Sequence, residues 1–152
     1  MTGGDLIHAF LDAPRLKPAE IPVHVDSPSI RETDFSPKNE QGVVLLFGRS
    51  FDCFGIDRII ECRTRYPDCL AIALGQQIAI EFEYKASSFI RHGHDRDLVD
   101  LVVCSAEDCN LGIPTLTLPG RIDLRTLGKR RRVVERAVAR AREMASVRAA
   151  RR

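Results

Sequence analysis

Ile78-Ala79-Ile80-Glu81-Phe82-Glu83-Tyr84-Lys85, with Tyr66-Pro67-Asp68-Cys69 a short way ahead of it, is the stretch from which the rest of the chain can be read. Side chains on a β-strand alternate between faces. Ile78, Ile80, Phe82 and Tyr84 therefore share one face, and Glu81, Glu83 and Lys85 share the other. Two carboxylates two residues apart on one face repel unless a cation lies between them. A divalent cation held by oxygen ligands, with a lysine nearby, accounts for that pattern. A solvated strand face is the alternative, and alternation alone does not choose between them.

Outward from this strand, Cys69 to Leu74 is almost wholly apolar and reads as a strand covered on both faces, joined to Ile78–Lys85 by a hairpin turn at Gly75-Gln76-Gln77. Arg58 to Thr64 predicts a further strand with Ile60 and Cys62 on one face, and Pro67-Asp68 turns the chain. Ahead of these, Ser36-Pro37 predicts a helix start. Val43, Val44, Phe47, Phe51 and Phe54 form its apolar stripe, and Gly55 suits its end. Glu40 falls on that stripe, where helix N-terminal polarity or contact with a metal or substrate is the reason to expect a carboxylate.

On the far side, Ala86-Ser87-Ser88-Phe89 leaves the strand, with Ser87 and Ser88 placed to cap the next segment or to meet a phosphate. Arg91 to Asp95 is a polar loop, Leu98 to Cys104 a buried strand containing Asp100, and Leu116 to Leu118 a last short strand. From about Arg125 the chain is helical, with Val133, Val134, Ala137, Val138, Ala141, Met144 and Ala145 on one stripe. The order of helix, three strands, connection, strand and basic helix predicts an α/β fold with a mixed central sheet flanked by helices. Three parts are expected: an arm over 1–36, a core over 37–120 and a basic C-terminal helix over 121–152. The arm contains a short helix around Leu6, Ile7, Phe10 and Leu11, then Pro18, Pro22 and Pro28, and its His8 and His24 are incidental.

The chain of 152 residues suits one domain, and no apolar run reaches the length of a membrane span. No basic region precedes an apolar block at the N-terminus, and five cysteines lie mostly within apolar runs. Both features predict reduced thiols in a cytoplasmic protein. The net charge of +2 conceals an asymmetry: residues 121–152 hold twelve Lys/Arg against three Asp/Glu, whereas the rest holds eleven against eighteen. An acidic body with a basic tail suits a metal–carboxylate site beside a phosphate-binding surface, or a tail folded back on its own acidic body.

The helix with Glu40, then Pro67-Asp68, then Glu81-x-Glu83 and a crossover to Asp100-Leu101-Val102-Val103-Cys104 resemble the PD-(D/E)XK, or restriction-endonuclease-like, nuclease superfamily. Asn39-Glu40-Gln41, Phe47-Gly48, Tyr66-Pro67-Asp68-Cys69, Ile80-Glu81-Phe82-Glu83-Tyr84, Ser88-Phe89 and His92-Gly93-His94-Asp95 resemble small bacterial proteins of that type, over roughly residues 37 to 110. The resemblance implies Mg²⁺ or Mn²⁺ held by Asp68 and Glu81, with Glu40 as a helix acid completing the metal shell. It places Glu83 where the superfamily usually has lysine. Lys85, on the same face, offers an alternative frame for the motif. On this view Asp68, Glu81, Glu83 and Lys85 are the catalytic set of an endonuclease acting on nucleic acid, DNA rather than RNA. A homodimer is expected if both strands are cut.

Two further groups bear on binding. His92 and His94, with Asp95, match no structural zinc pattern well, even with Cys104 or Cys109. Positioning a substrate phosphate, or fixing the loop through Asp95, is the expected role. Lys129-Arg130-Arg131-Arg132, with Arg136, Arg140, Arg142, Arg148, Arg151 and Arg152, predicts sequence-independent, salt-sensitive phosphate binding, without aromatics for base stacking. The departure at Glu83 leaves two other readings open: a catalytically inactive nucleic-acid-binding module, and a protein-interaction subunit on the same fold.

Overall fold

A computed structural model describes residues 35–120 and 124–151; the expected N-terminal arm lies almost wholly outside the described residues. The first helix, α1 (Glu40–Ser50), starts later than Ser36-Pro37 suggests, because Asn39 is the residue whose side chain accepts from Gly42 N, at 2.9 Å. Its buried positions are Gly42, Val43, Leu46, Phe47 and Ser50, whereas Val44 is 38% exposed. The apolar face is thus rotated from the expected stripe, and Glu40 lies exposed rather than on the buried face. A 3₁₀ turn (Phe51–Phe54) continues the helix and ends at Gly55 with φ 85°.

Five strands form one sheet in chain order: β1 (Ile56–Cys62), β2 (Cys69–Ala73), β3 (Gln76–Lys85), β4 (Leu101–Ala106) and β5 (Thr115–Thr117). The first three are antiparallel, and β3–β4 and β4–β5 are parallel. The expected α/β architecture with a mixed sheet is the one observed. Ile60 and Cys62, expected on one face, are both exposed, Ile60 by 47%. Register irregularities in edge strand β1 turn Ile56 and Ile59 to the core instead. The β2–β3 turn is Leu74-Gly75, both at positive φ, so Gln76 and Gln77 already pair with β2.

The β3–β4 crossover carries α2 (Ala86–Arg91), a helix that the sequence pattern does not announce, with Ala86 and Phe89 buried three residues apart. Asp100 precedes β4 and is 1% exposed. The C-terminal helix α3 (Leu124–Ala150) docks through Val134, Ala137, Val138 and Ala141, while Ala145 of the expected stripe is exposed.

Apolar side chains pack on both sides of the sheet. Ile78, Ile80 and Phe82 of β3, with Leu101 and Val103 of β4, meet residues of α1 and α3 in the main core. Val102 and Cys104 pack with Ala86, Phe89, Val99, Leu111 and Ile113 in a second cluster. Strand alternation assigns Glu81 and Glu83 to this second side. Both faces of the strand are therefore covered, and its carboxylates are not a solvated surface.

Candidate functional site

Register brings the carboxylates together. Cys69 pairs with Ile80, so Asp68, just before β2, stands beside Glu81. Each carboxylate is fixed by a backbone N–H of the other strand: Glu81 Oε2 accepts from Asp68 N and Asp68 Oδ2 accepts from Phe82 N, each at 3.0 Å. Asp68 Oδ1 and Glu81 Oε1 are left to face other partners. Glu81 is 4% and Glu83 1% exposed.

Burial is the main cause that pushes Glu81 up to about 8 from the ordinary 4.5; the Asp68, Glu83 and Glu40 charges add to it, and the bond from Asp68 N opposes it. Glu83 is raised first by burial, against hydrogen bonding and attraction from His92. Glu40, although exposed, is raised first by partial desolvation and then by the Asp68 charge, against attraction from His92. Four carboxylates from α1, β2 and β3 thus act on one another. That is the electrostatic setting of a cation site, or of carboxyls that retain protons near neutral pH.

Two histidines close the cluster. His92 Nδ1 lies 2.9 Å from Glu83 Oε1. His94 Nε2 lies 3.0 Å from Glu81 Oε1 and 3.6 Å from Glu83 Oε1. Ligand atoms of Glu83, His92 and His94 all lie within 4.8 Å of one another. The His94 ring stacks on Tyr66 with centroids 4.4 Å apart and planes 5° from parallel, and Phe89 tilts against it at 5.4 Å. Burial and the neighbouring His92 lower the pKa of His94, favouring neutral imidazole. Asp95 does not fix the histidines; its side chain accepts from Asp97 N, and its carbonyl accepts from Tyr66 OH at 2.5 Å. The histidine loop is also held by α3. Arg140 donates to Arg96 O, Arg148 to Asp97 O and to both oxygens of Asp100, and Arg151 pairs with Asp95 and Asp97.

Lys85 is not brought into this cluster. It is exposed at the end of β3, and its charge acts on Asp108, whose carboxylate accepts from both the backbone N and Oγ of Ser87. The basic set divides in two. Arg130 donates to Thr117 O and bonds Thr126, Arg131 donates to Cys53 O, and Arg140 donates to Val99 O. Arg132 and Arg136 are exposed beside Lys129. Lys129, Arg130 and Arg136 line a groove of about 990 Å³ along β5, with Glu107 and Asp108 also in its lining.

Tyr66 is legible in the sequence only as part of a motif, and its stacking role depends on a contact 28 residues away along the chain. Together these features make the chain a mixed-sheet α/β domain with a largely buried carboxylate–histidine centre. No family model matches the chain, and neither a curated protein nor a solved structure is detectably similar to it.

Proposed function

We propose that the chain is a metal-dependent nuclease-like protein with a restriction-endonuclease-like core, hydrolysing phosphodiester bonds of nucleic acid, DNA in preference to RNA. The observation that carries this reading is the Asp68–Glu81 pair, each carboxylate fixed by a bond from a backbone N–H, with the second oxygen of Glu81 facing His94. The connectivity supports it: a helix, three antiparallel strands, a helical crossover and a parallel strand.

Asp68 and Glu81 are the residues to hold Mg²⁺ or Mn²⁺, and the Asp68 charge is felt at Glu40, the helix acid of the expected shell. The donor set fits, since Mg²⁺ takes one or two carboxylates and completes its shell with water and phosphate oxygens. A bound cation supplies charge relief and an acidified water. Buried Glu83 and exposed Lys85 support the frame in which Glu83 fills the usual lysine position. Glu83 holds His92, whose side chain is 42% exposed, beside the carboxylate pair. Lys129, Arg132 and Arg136 are the exposed cations to meet the nucleic-acid backbone.

All five cysteines are free, in keeping with a cytoplasmic setting. Among the described residues no helix is long and apolar enough to cross a membrane. A homodimer would bring one copy of the site to each strand of a duplex.

The test is cleavage of labelled linear, flapped and four-way DNA and of RNA, with Mg²⁺, Mn²⁺ or chelator, beside Asp68→Asn and Glu81→Gln. Metal-dependent cutting that falls at least about 100-fold in both variants is expected, since charge relief by the ion is worth several kcal/mol. No cutting of any substrate, with salt-sensitive binding that the variants retain, would instead favour the inactive binding module. The exclusion of Lys85 from the cluster is the observation on that side. Neither cutting nor nucleic-acid binding would leave the protein-interaction subunit.

A further inference from the structure

Glu83 presents a feature that the Asp68–Glu81 pair does not explain. It is 1% exposed, and its Oε2 has no hydrogen-bond partner. A buried, unpartnered carboxylate oxygen is costly. Two imidazole nitrogens face the same carboxylate, His92 Nδ1 at 2.9 Å and His94 Nε2 at 3.6 Å from Oε1.

We propose that Glu83, His92 and His94 form a site for a transition-metal dication, adjoining the Asp68–Glu81 pair, whose Glu81 Oε1 lies 3.0 Å from His94 Nε2. Two ligands about 2.1 Å from one ion are about 3.0 Å apart at a right angle and about 3.4 Å apart at the tetrahedral angle. The two nitrogen–oxygen separations, 2.9 and 3.6 Å, bracket those values, so little movement is needed to admit an ion. Two histidines and one carboxylate form a borderline-soft set that suits zinc, manganese or iron, while magnesium favours oxygen and gives up its water reluctantly. Three protein ligands leave positions open for water or a phosphate oxygen, as in catalytic rather than structural zinc sites.

The scaffold is built for such a task. His94 packs against Tyr66 and Phe89, which also touch each other, and its loop is tied to α3 through Arg140, Arg148 and Arg151. Glu83 lies within the β3–β4 pairing, opposite Cys104. Rigid placement of two of the three ligands lowers the ordering cost of binding. Binding an ion at His92 Nδ1 requires that this nitrogen carry no proton, so uptake releases a proton or shifts it to Nε2. The site is defined by metal binding alone and holds whether or not the protein cuts nucleic acid.

The experiment is calorimetric titration of chelator-treated full-length protein with Zn²⁺, Mn²⁺ and Mg²⁺ in turn, without nucleic acid. One Zn²⁺ per chain is expected, bound more tightly than Mn²⁺, with Mg²⁺ weakest. His92→Ala/His94→Ala should lower Zn²⁺ affinity more than about 100-fold, beyond the 10–100-fold that loss of an outer partner brings. Asp68→Asn should retain Zn²⁺ binding. Single His92→Asn and His94→Asn variants keep the test open if the double variant misfolds, and far-UV circular dichroism reports folding.

Co²⁺ serves as a spectroscopic probe, and the expected spectrum lacks thiolate charge transfer. No Zn²⁺ binding by the wild type, binding unchanged in both single variants, or a thiolate band implicating Cys62 or Cys109 would each overturn the inference. Zn²⁺ bound here without cleavage by any metal would sink the nuclease reading alone. Mg²⁺-dependent cleavage without Zn²⁺ binding would sink this one alone.

Discussion

Glu81→Gln should make the metal-free protein more stable, and increasingly so as pH rises. Glu81 is 4% exposed, and burial with the Asp68, Glu83 and Glu40 charges pushes it up to about 8. In the unfolded chain it ionises near the ordinary value of 4.5. Below that value the carboxyl is protonated in both states and costs nothing. Between about 4.5 and 8 the unfolded chain releases the proton and the folded one keeps it, so stability falls as pH rises. Above about 8 the penalty is constant. At about 1.4 kcal/mol for each tenfold change, the full gap sets a ceiling of about 5 kcal/mol.

Glutamine keeps an oxygen to accept from Asp68 N and presents its amide to neutral His94, but local relaxation and a weaker bond reduce the gain. We expect about 2–3 kcal/mol at pH 8, with almost no difference near pH 4.5. Urea unfolding in chelator, followed by far-UV circular dichroism because the chain has no tryptophan, measures this. A variant no more stable than wild type at pH 8, with the same slope against pH, would refute the claim that the carboxylates are held together against their repulsion.

Three other outcomes are expected. Leu74, at φ 49°, precedes Gly75 in the β2–β3 turn, so Leu74→Asn should stabilise the fold by about 1 kcal/mol, read as a rise in Tm. Arg148→Met strips the partner from Asp100, which is 1% exposed, and should cost about 3 kcal/mol in urea unfolding; adding Asp100→Asn should restore most of it. Neutralising Lys129, Arg132 and Arg136 should weaken DNA binding and lower the log–log salt slope by about 0.9 for each phosphate that is no longer neutralised, while unfolding stability changes little.

Much of the framework is legible in the sequence because strand alternation and apolar runs are local signals. β2, β3 and the buried strand after the histidine loop are each visible there, as is the long basic helix. Element edges are less so. Asn39 caps α1 in place of Ser36, since the cap is decided by which side chain reaches a free N–H. The turn falls at Leu74-Gly75 rather than Gly75-Gln76-Gln77, because cross-strand pairing extends to Gln76. Helix α2 escapes notice because six residues leave too short a period to read.

That Glu81 and Glu83 share a face, that Asp68 heads a strand, and that the cations crowd one end of the chain all follow from local pattern. What those residues meet follows from the folded chain. Antiparallel register set Asp68 beside Glu81, and the crossover returned His92 and His94 to the carboxylates. The fold also left Lys85 with Asp108 and turned several arginines inward to carbonyls and to Asp100. Periodicity specifies a face, whereas a contact across the sheet depends on register and loop path, which no local pattern encodes.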